Sequence, residues 1–379
     1  MNLEAYLVRQ LSTLVSIPSV TGSEAKCAAH IHRYLRGRGL KATKDRYGNV
    51  VCIKANGPGP TILFNGHIDT VPPTDAWTRD PYKPVVEGDK LYGLGASDCK
   101  AGLAALMHLA EHVEVPGTMI YTFTVAEETS RANLPNGART IAPKYKADYA
   151  IAVESGVTPE GEPAIMIGCQ GQAWAEVCVL GKAAHSSMPH RGENAIYSAT
   201  ALVRAVEAHH TTLKPVRVWG DVSVMPSMSV TQIRTDNAAN VIPDKVVLTI
   251  NRRLAPGETF AKFQKEIGRC VRGIRHTVAW KNVSQPVATK PRGALLKTTV
   301  GVMEGLFGRV NARFSTGRYD LCYFADTCGD SINLGPGTLG EAHTADEFVI
   351  VSGMVKQTRF LEAVVRELAG GDAETGRKR

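Results

Sequence analysis

The chain contains no run of about 18 apolar residues, and its start, Met1-Asn2-Leu3-Glu4-Ala5-Tyr6-Leu7-Val8-Arg9, carries an early acid and no leader-like apolar core. Neither a membrane span nor a secretory leader is indicated, so a cytoplasmic protein is expected. The eight cysteines, at 27, 52, 99, 169, 178, 270, 322 and 328, form no Cys-x-x-Cys pair and no repeated spacing. This argues against a disulfide framework and a thiolate zinc site, and for reduced thiols. Aromatic residues make up only 6% of the chain, and no basic stretch is interleaved with them, so the net charge of +8 does not by itself indicate a nucleic-acid platform. The one compact basic run, Gly376-Arg377-Lys378-Arg379, follows a Gly-Gly break at Gly370 and reads as a solvated tail. A Gly-x-Ser-x-Gly elbow and a His-Glu-x-x-His helix are both missing, which removes two common hydrolase designs.

What is present is an ordinary globular composition, 44% hydrophobic and 21% charged over 379 residues, long enough for roughly two to three folding units. Helical patterns cover 1–17 and 23–38, the second with Ser23 and Glu24 as capping candidates. Strand-like runs at 50–55, 61–64, 118–125 and 149–153 and a helix over 99–112 follow the alternation of a largely parallel sheet. From about residue 170 the order becomes strand 173–180, helix 194–209, strand 222–234, strand 245–252, helix 258–274, strand 277–283. That βαββαβ order is ferredoxin-like. Beyond residue 288 the first style returns, with helices at 294–307 and 350–368 and strands at 313–315 and 331–334. The expectation is an α/β domain, 1–170 with 288–379, interrupted by an inserted α+β domain, 171–287.

Metal-competent and polar residues gather where the strands end, the edge at which open α/β sheets bind ligands. Strand 61–64 leads into Asn65-Gly66-His67-Ile68-Asp69, strand 118–125 into Ala126-Glu127-Glu128, and strand 149–153 into Glu154. Read alone, His67 is either a satisfied polar residue or a ligand that Asp69, two positions on and facing the same way, would orient. Gly93-Leu94-Gly95-Ala96-Ser97-Asp98 has nearly the spacing of a dinucleotide loop, but Asp98 would set its charge against a pyrophosphate. Asp98 therefore reads as a helix N-cap or as a bridging metal carboxylate. Glu127-Glu128 is either a surface pair or a catalytic one in which a cation neutralises one carboxylate and the other carries protons. His209-His210, at the end of a helix, reads as solvent-exposed, and Met107 and His108 as packing residues.

In this order, several segments resemble the M20 metallopeptidase and amidohydrolase family, which includes acetylornithine deacetylase, succinyl-diaminopimelate desuccinylase, aminoacylase and glutamate carboxypeptidase. They are 14–22 (LVSIPSVTG), 66–72 (GHIDTVP), 93–102 (GLGASDCKAG), Glu127-Glu128, 181–190 (GKAAHSSMPH), 240–244 (NVIPD), 335–337 (GPG) and 342–347 (AHTADE). The resemblance implies a zinc-hydrolase domain with an inserted lid that also dimerises. It implies two divalent ions, zinc with cobalt or manganese as substitutes, held by His67 and Glu154 on one side, Glu128 and His343 on the other, and Asp98 between them. Glu127 would be the general base, Asp69 an outer partner of His67, and His185 the oxyanion donor. Asn240 and Arg253 would contact substrate, with Arg318 as a further anion contact.

The chain departs from the family pattern at Cys99 and Ala101, where Asp-Met-Lys-Gly-Gly is usual, at Ala126, around Glu154, at Asn251-Arg252-Arg253, and at Ser315–Asp320. The expected activity is metal-dependent hydrolysis of an amide, most simply an N-acyl amino acid or related small N-acyl amine, by a homodimer without nucleic-acid or membrane partners. A dipeptidase or carboxypeptidase of the same design, and a non-catalytic ligand-binding protein on this scaffold, are the alternatives.

Overall fold

The structure is a computed structural model of the chain and describes residues 1–129 and 134–375. The solvated tail read at 376–379 lies outside the described residues. Two compact units divide the chain: Met1–Gly168, Ala288–Arg313 and Tyr319 onward form the first, and Cys169–Val287 with Phe314–Arg318 the second. Segment 314–318, assigned to the first domain by sequence, belongs to the second unit, where the Ser315 carbonyl accepts from the Gln170 N–H at 3.0 Å. Among the described residues no helix is long and apolar enough to cross a membrane, and all eight cysteines are free thiols.

In the first unit, strands Gly117–Thr124, Thr61–His67, Ala147–Ala152 and Cys328–Asn333 run parallel side by side. Strand Val50–Asn56 lies antiparallel against 117–124, and Ala42–Lys44 against it in turn. Strand 61–67 sits between two parallel neighbours and is buried from Ile62 to His67, so its apolar run needs no alternation. Helix Ala101–His112 packs on this sheet with nine of its twelve residues buried. Gly102 permits that approach, since a Cβ there would stand 2.1 Å from the Val153 carbonyl oxygen. A second small sheet, Val85–Glu87, Lys90–Tyr92 and Phe348–Ile350, had no clear sequence signal because its strands are three residues long. The closing helix, read to stop at Leu368, runs Val351–Thr375. Its glycines lower helix propensity by only about 1 kcal/mol each, and no proline follows to stop it.

The second unit is a four-stranded antiparallel sheet in the order Ser227–Arg234, Lys245–Leu254, Gly171–Leu180, His276–Ser284, with helices Ala195–Thr212 and Phe260–Cys270. Asn194 and Thr259 cap these helices, accepting from the N–H groups of Ile196 and Lys262. The single strand read over 222–234 is two pieces, Val222–Val224 and Ser227–Arg234, because Pro226 has no N–H to continue a ladder. His209 and His210, read as solvent-exposed, are partly buried: His209 Nε2 lies 3.4 Å from Glu266 Oε1, and His210 Nδ1 accepts from the Met228 N–H at 3.4 Å.

Successive residues of strand 245–254 face opposite ways. The fully buried Arg252 turns to helix 260–270 and the residues just before it: Nε donates to Glu266 Oε2 at 2.9 Å and Nη2 to Glu258 Oε1 at 2.8 Å. Removing one member of a buried ionic group strands the charge of the others. Arg252→Met is expected to lower the unfolding free energy by about 3–5 kcal/mol, seen as a fall in the urea midpoint at unchanged slope.

Candidate metal centre

Three of the parallel strands deliver their C-terminal ends to one place. His67 is the last residue of its strand, Glu127 and Glu128 follow strand 117–124, and Glu154 follows strand 147–152. His67 Nδ1 lies 2.9 Å from the backbone carbonyl oxygen of Asp69. A carbonyl can only accept, so Nδ1 carries a proton, which leaves Nε2 as the nitrogen that would give its lone pair to a cation. The Asp69 carboxylate, expected by sequence to orient this ring, does more elsewhere. It lies 3.6 Å from Nδ1 and accepts from Thr21 Oγ1 at 2.7 Å and from the N–H groups of Glu127 and Glu128 at 3.1 Å each. Burial alone would raise its pKa, but the contact with His67 and these donors hold it below the ordinary carboxylate value.

Asp98 stands at the centre. Its Oδ1 is 2.9 Å from His67 Nε2 and its Oδ2 is 3.5 Å from His343 Nε2. Glu154 Oε2 approaches the same His67 nitrogen at 3.5 Å, and Glu128 Oε2 the same His343 nitrogen at 2.8 Å. The two halves thus mirror each other, each an imidazole and a glutamate, joined by one carboxylate. Asp98 is not a helix cap: the regular helix starts at Ala101, and the Asp98–Cys99 peptide is cis. Burial lifts the Glu154 carboxyl to about 7 and raises that of Glu128, while the hydrogen bond to Glu128 lifts His343 to about 9. Three carboxylates converging on two imidazoles in so buried a place fit a pair of divalent cations, and nitrogen and oxygen donors suit zinc, cobalt or manganese.

The chain matches the profile of peptidase family M20/M25/M40 over residues 63–367. It is a member of that family. As an M20 hydrolase, it is 29% identical to the succinyl-diaminopimelate desuccinylase of Xylella fastidiosa over 376 residues, which span 94% of this chain and 96% of that protein. Its fold is that of an M20 family metallo-carboxypeptidase from Sulfolobus solfataricus, with a TM-score of 0.78, 18% identity, and coverage of 97% of this chain and 100% of that one. A dinuclear metal binding M20 peptidase from Bacillus subtilis superposes with a TM-score of 0.73 at 16% identity, covering 97% and 98% of the two chains.

Several residues of this M20 chain have positioning roles that the sequence did not assign. Glu347 is buried, and its carboxylate accepts the N–H groups of Gly95, Ser97 and Asp98 at 2.7, 2.8 and 2.9 Å, fixing the loop that presents Asp98. Burial and the charge of Asp98 push its carboxyl up to about 8. Lys100, fully buried, donates to the carbonyls of Leu14 and Ile17 at 2.9 and 3.0 Å, tying the same loop to the end of the first helix. Glu24, read as a helix cap, makes no cap bond to its own helix; it accepts from the N–H groups of Gly22 and Ala126. Ala126, with φ of 56°, is thereby held in a left-handed turn that directs Glu127 and Glu128. Asn333 Oδ1 accepts the Glu154 N–H at 2.8 Å, and Gly335 passes so close that a Cβ would lie 1.9 Å from the Glu154 carbonyl oxygen.

The remaining predicted residues, His185, Asn240, Arg253 and Arg318, are in the second unit. His185 lies on the two-residue strand Ala184–His185, and its Nδ1 accepts from the Ser187 N–H at 3.2 Å, which leaves Nε2–H as the donor of the neutral ring. The Asn240 carbonyl accepts from the Ser186 N–H at 2.9 Å. Arg253, on the face of its strand opposite Arg252, is held below the ordinary guanidinium value by burial and by the charge of Arg318.

The three N–H groups divide between the two oxygens, Gly95 on Oε2 and Ser97 and Asp98 on Oε1, so Glu347→Gln would set an amide N–H₂ against at least one of them. It is expected to lower zinc affinity about 10–100-fold, measured by competition with a chromophoric chelator.

Proposed function

We propose that this M20 hydrolase cleaves the amide bond of a small N-acyl amino acid with two divalent ions bound, zinc being the resident metal. His67 and Glu154 would hold one ion, His343 and Glu128 the other, and Asp98 both. The carrying observation is Asp98 itself, whose two oxygens face two different imidazoles. When bound, such ions supply Lewis acidity toward a carbonyl oxygen and an acidified water.

The chain's own residues supply the rest. Glu127, buried and held through its N–H by Asp69, takes a proton from the attacking water and returns it to the departing nitrogen. Asp69 fixes the turn that carries Glu127 and accepts the Nδ1 proton of His67 through its carbonyl. His185 donates from Nε2 to the oxygen that gains charge as the carbonyl carbon becomes tetrahedral. Arg253 and Arg318, whose guanidinium charges are near enough for Arg318 to lower the pKa of Arg253, bind the substrate carboxylate with Asn240. An N-acyl amino acid is favoured over a peptide because the desuccinylase relative is matched over nearly all of both chains. The second unit serves as lid and as the surface of a homodimer, and the protein works in the cytoplasm.

Glu127→Gln is expected to reduce kcat about 10²–10⁴-fold while two metal equivalents remain bound by atomic absorption; near-normal turnover would remove Glu127 from the mechanism. A protein that retains no metal after metal-replete purification would instead be a binder on this scaffold. Assayed with N-succinyl and N-acetyl amino acids beside dipeptides, the protein should turn over the acyl amino acids, and Arg318→Ala should raise KM at least about tenfold with kcat changed less. Preference for dipeptides would make it an exopeptidase, and light scattering should return the mass of a dimer.

A further inference from the structure

Beneath the His67 half of the cluster lies a thiol that the ligand set above does not use. Cys99 is fully buried, and its Sγ, a nitrogen of His67 and an oxygen of Glu154 all lie within 4.8 Å of one another. No other cysteine among the described residues belongs to such a group. Two neighbours make the room. Gly66, immediately before His67, has no side chain, and a Cβ there would come within 3.4 Å of the sulfur. The Val153 carbonyl, immediately before Glu154, accepts the thiol proton at 3.5 Å. A thiol is a weak hydrogen-bond donor, so this contact holds the sulfur loosely. No corresponding sulfur group occurs on the His343 side among the described residues, where the imidazole is half exposed.

We infer that Cys99 is a sulfur donor to the cation held by His67 and Glu154, making the two halves of the centre unequal in metal preference. The inference rests on the two-ion reading above. The S–H bond breaks, a sulfur–metal bond forms, and the proton leaves to solvent; no electron is transferred. A soft thiolate added to imidazole and carboxylate favours zinc, cobalt or cadmium over magnesium or manganese. The His67 half would thus select its ion by ligand softness, while the His343 half, with nitrogen and oxygen alone, would accept harder ions.

Cobalt(II) makes the inference visible independently of turnover. The full-length protein, stripped by chelator and titrated to two equivalents, should show visible ligand-field bands together with a near-ultraviolet thiolate-to-cobalt charge-transfer band. Cys99→Ser, which keeps a donor for the Val153 carbonyl, should lose the near-ultraviolet band and still bind two cobalt ions. Its cadmium affinity should fall about tenfold or more while its manganese affinity moves less than about twofold. Ligand-field bands without the charge-transfer band in the wild type, or a band that survives Cys99→Ser, would overturn the role of Cys99 and leave the two-ion reading standing. Failure to bind cobalt at all would overturn both. Should Cys99→Ser not fold, X-ray absorption of the zinc-loaded wild type decides: a sulfur scatterer in the first shell supports the inference, and nitrogen and oxygen alone refute it.

Discussion

Asp98 presents one oxygen to His67 and the other to His343, while Glu154 and Glu128 crowd the same two nitrogens, so like charges meet where burial already disfavours them. Such an arrangement persists only if the backbone beneath it is fixed independently. Glu347 does this for Asp98 by gathering three loop N–H groups, and Lys100 anchors the loop through two carbonyls. Every other feature of the centre is arranged around that fixed carboxylate.

The supporting groups share a physical style. Asp69, Glu24 and Glu347 are carboxylates whose main partners are backbone N–H groups, and Asn333 binds the Glu154 N–H by its side-chain oxygen. Backbone donors cannot rotate away as long cationic side chains can, so the ligands are held with little conformational freedom. The close approaches at Gly102 and Gly335, where a methyl group would meet main-chain atoms, bring the strand ends near enough for their side chains to converge.

In the second unit, one strand separates structure from recognition by alternation alone. Arg252 turns inward to two glutamates and belongs to the core, whereas Arg253 turns outward toward Arg318. Two identical residue types side by side therefore take different roles because a strand has a period of two.

Strand ends carrying His67, Glu127, Glu128 and Glu154 were legible because short apolar runs followed by polar residues mark the binding edge of an α/β sheet. The βαββαβ order was legible from periodicity for the same local reason. The roles of Glu24 and Glu347 were not, because each acts on a segment about 100 or 250 residues away. Pattern likewise could not decide between cap and bridge for Asp98, because that depends on where the helix begins and on which imidazoles stand opposite.

By itself the sequence determined the alternation of strands and helices, the chemistry available at each strand end and the family motifs, since these depend on neighbours a few residues apart. Tertiary structure alone decided that Asp98 lies between two imidazoles, that Glu347 captures its loop, that Arg252 rather than Arg253 is buried, and that the Cys99 thiol lies beside His67 and Glu154. Those outcomes depend on distances between remote segments, which packing sets and local pattern does not encode.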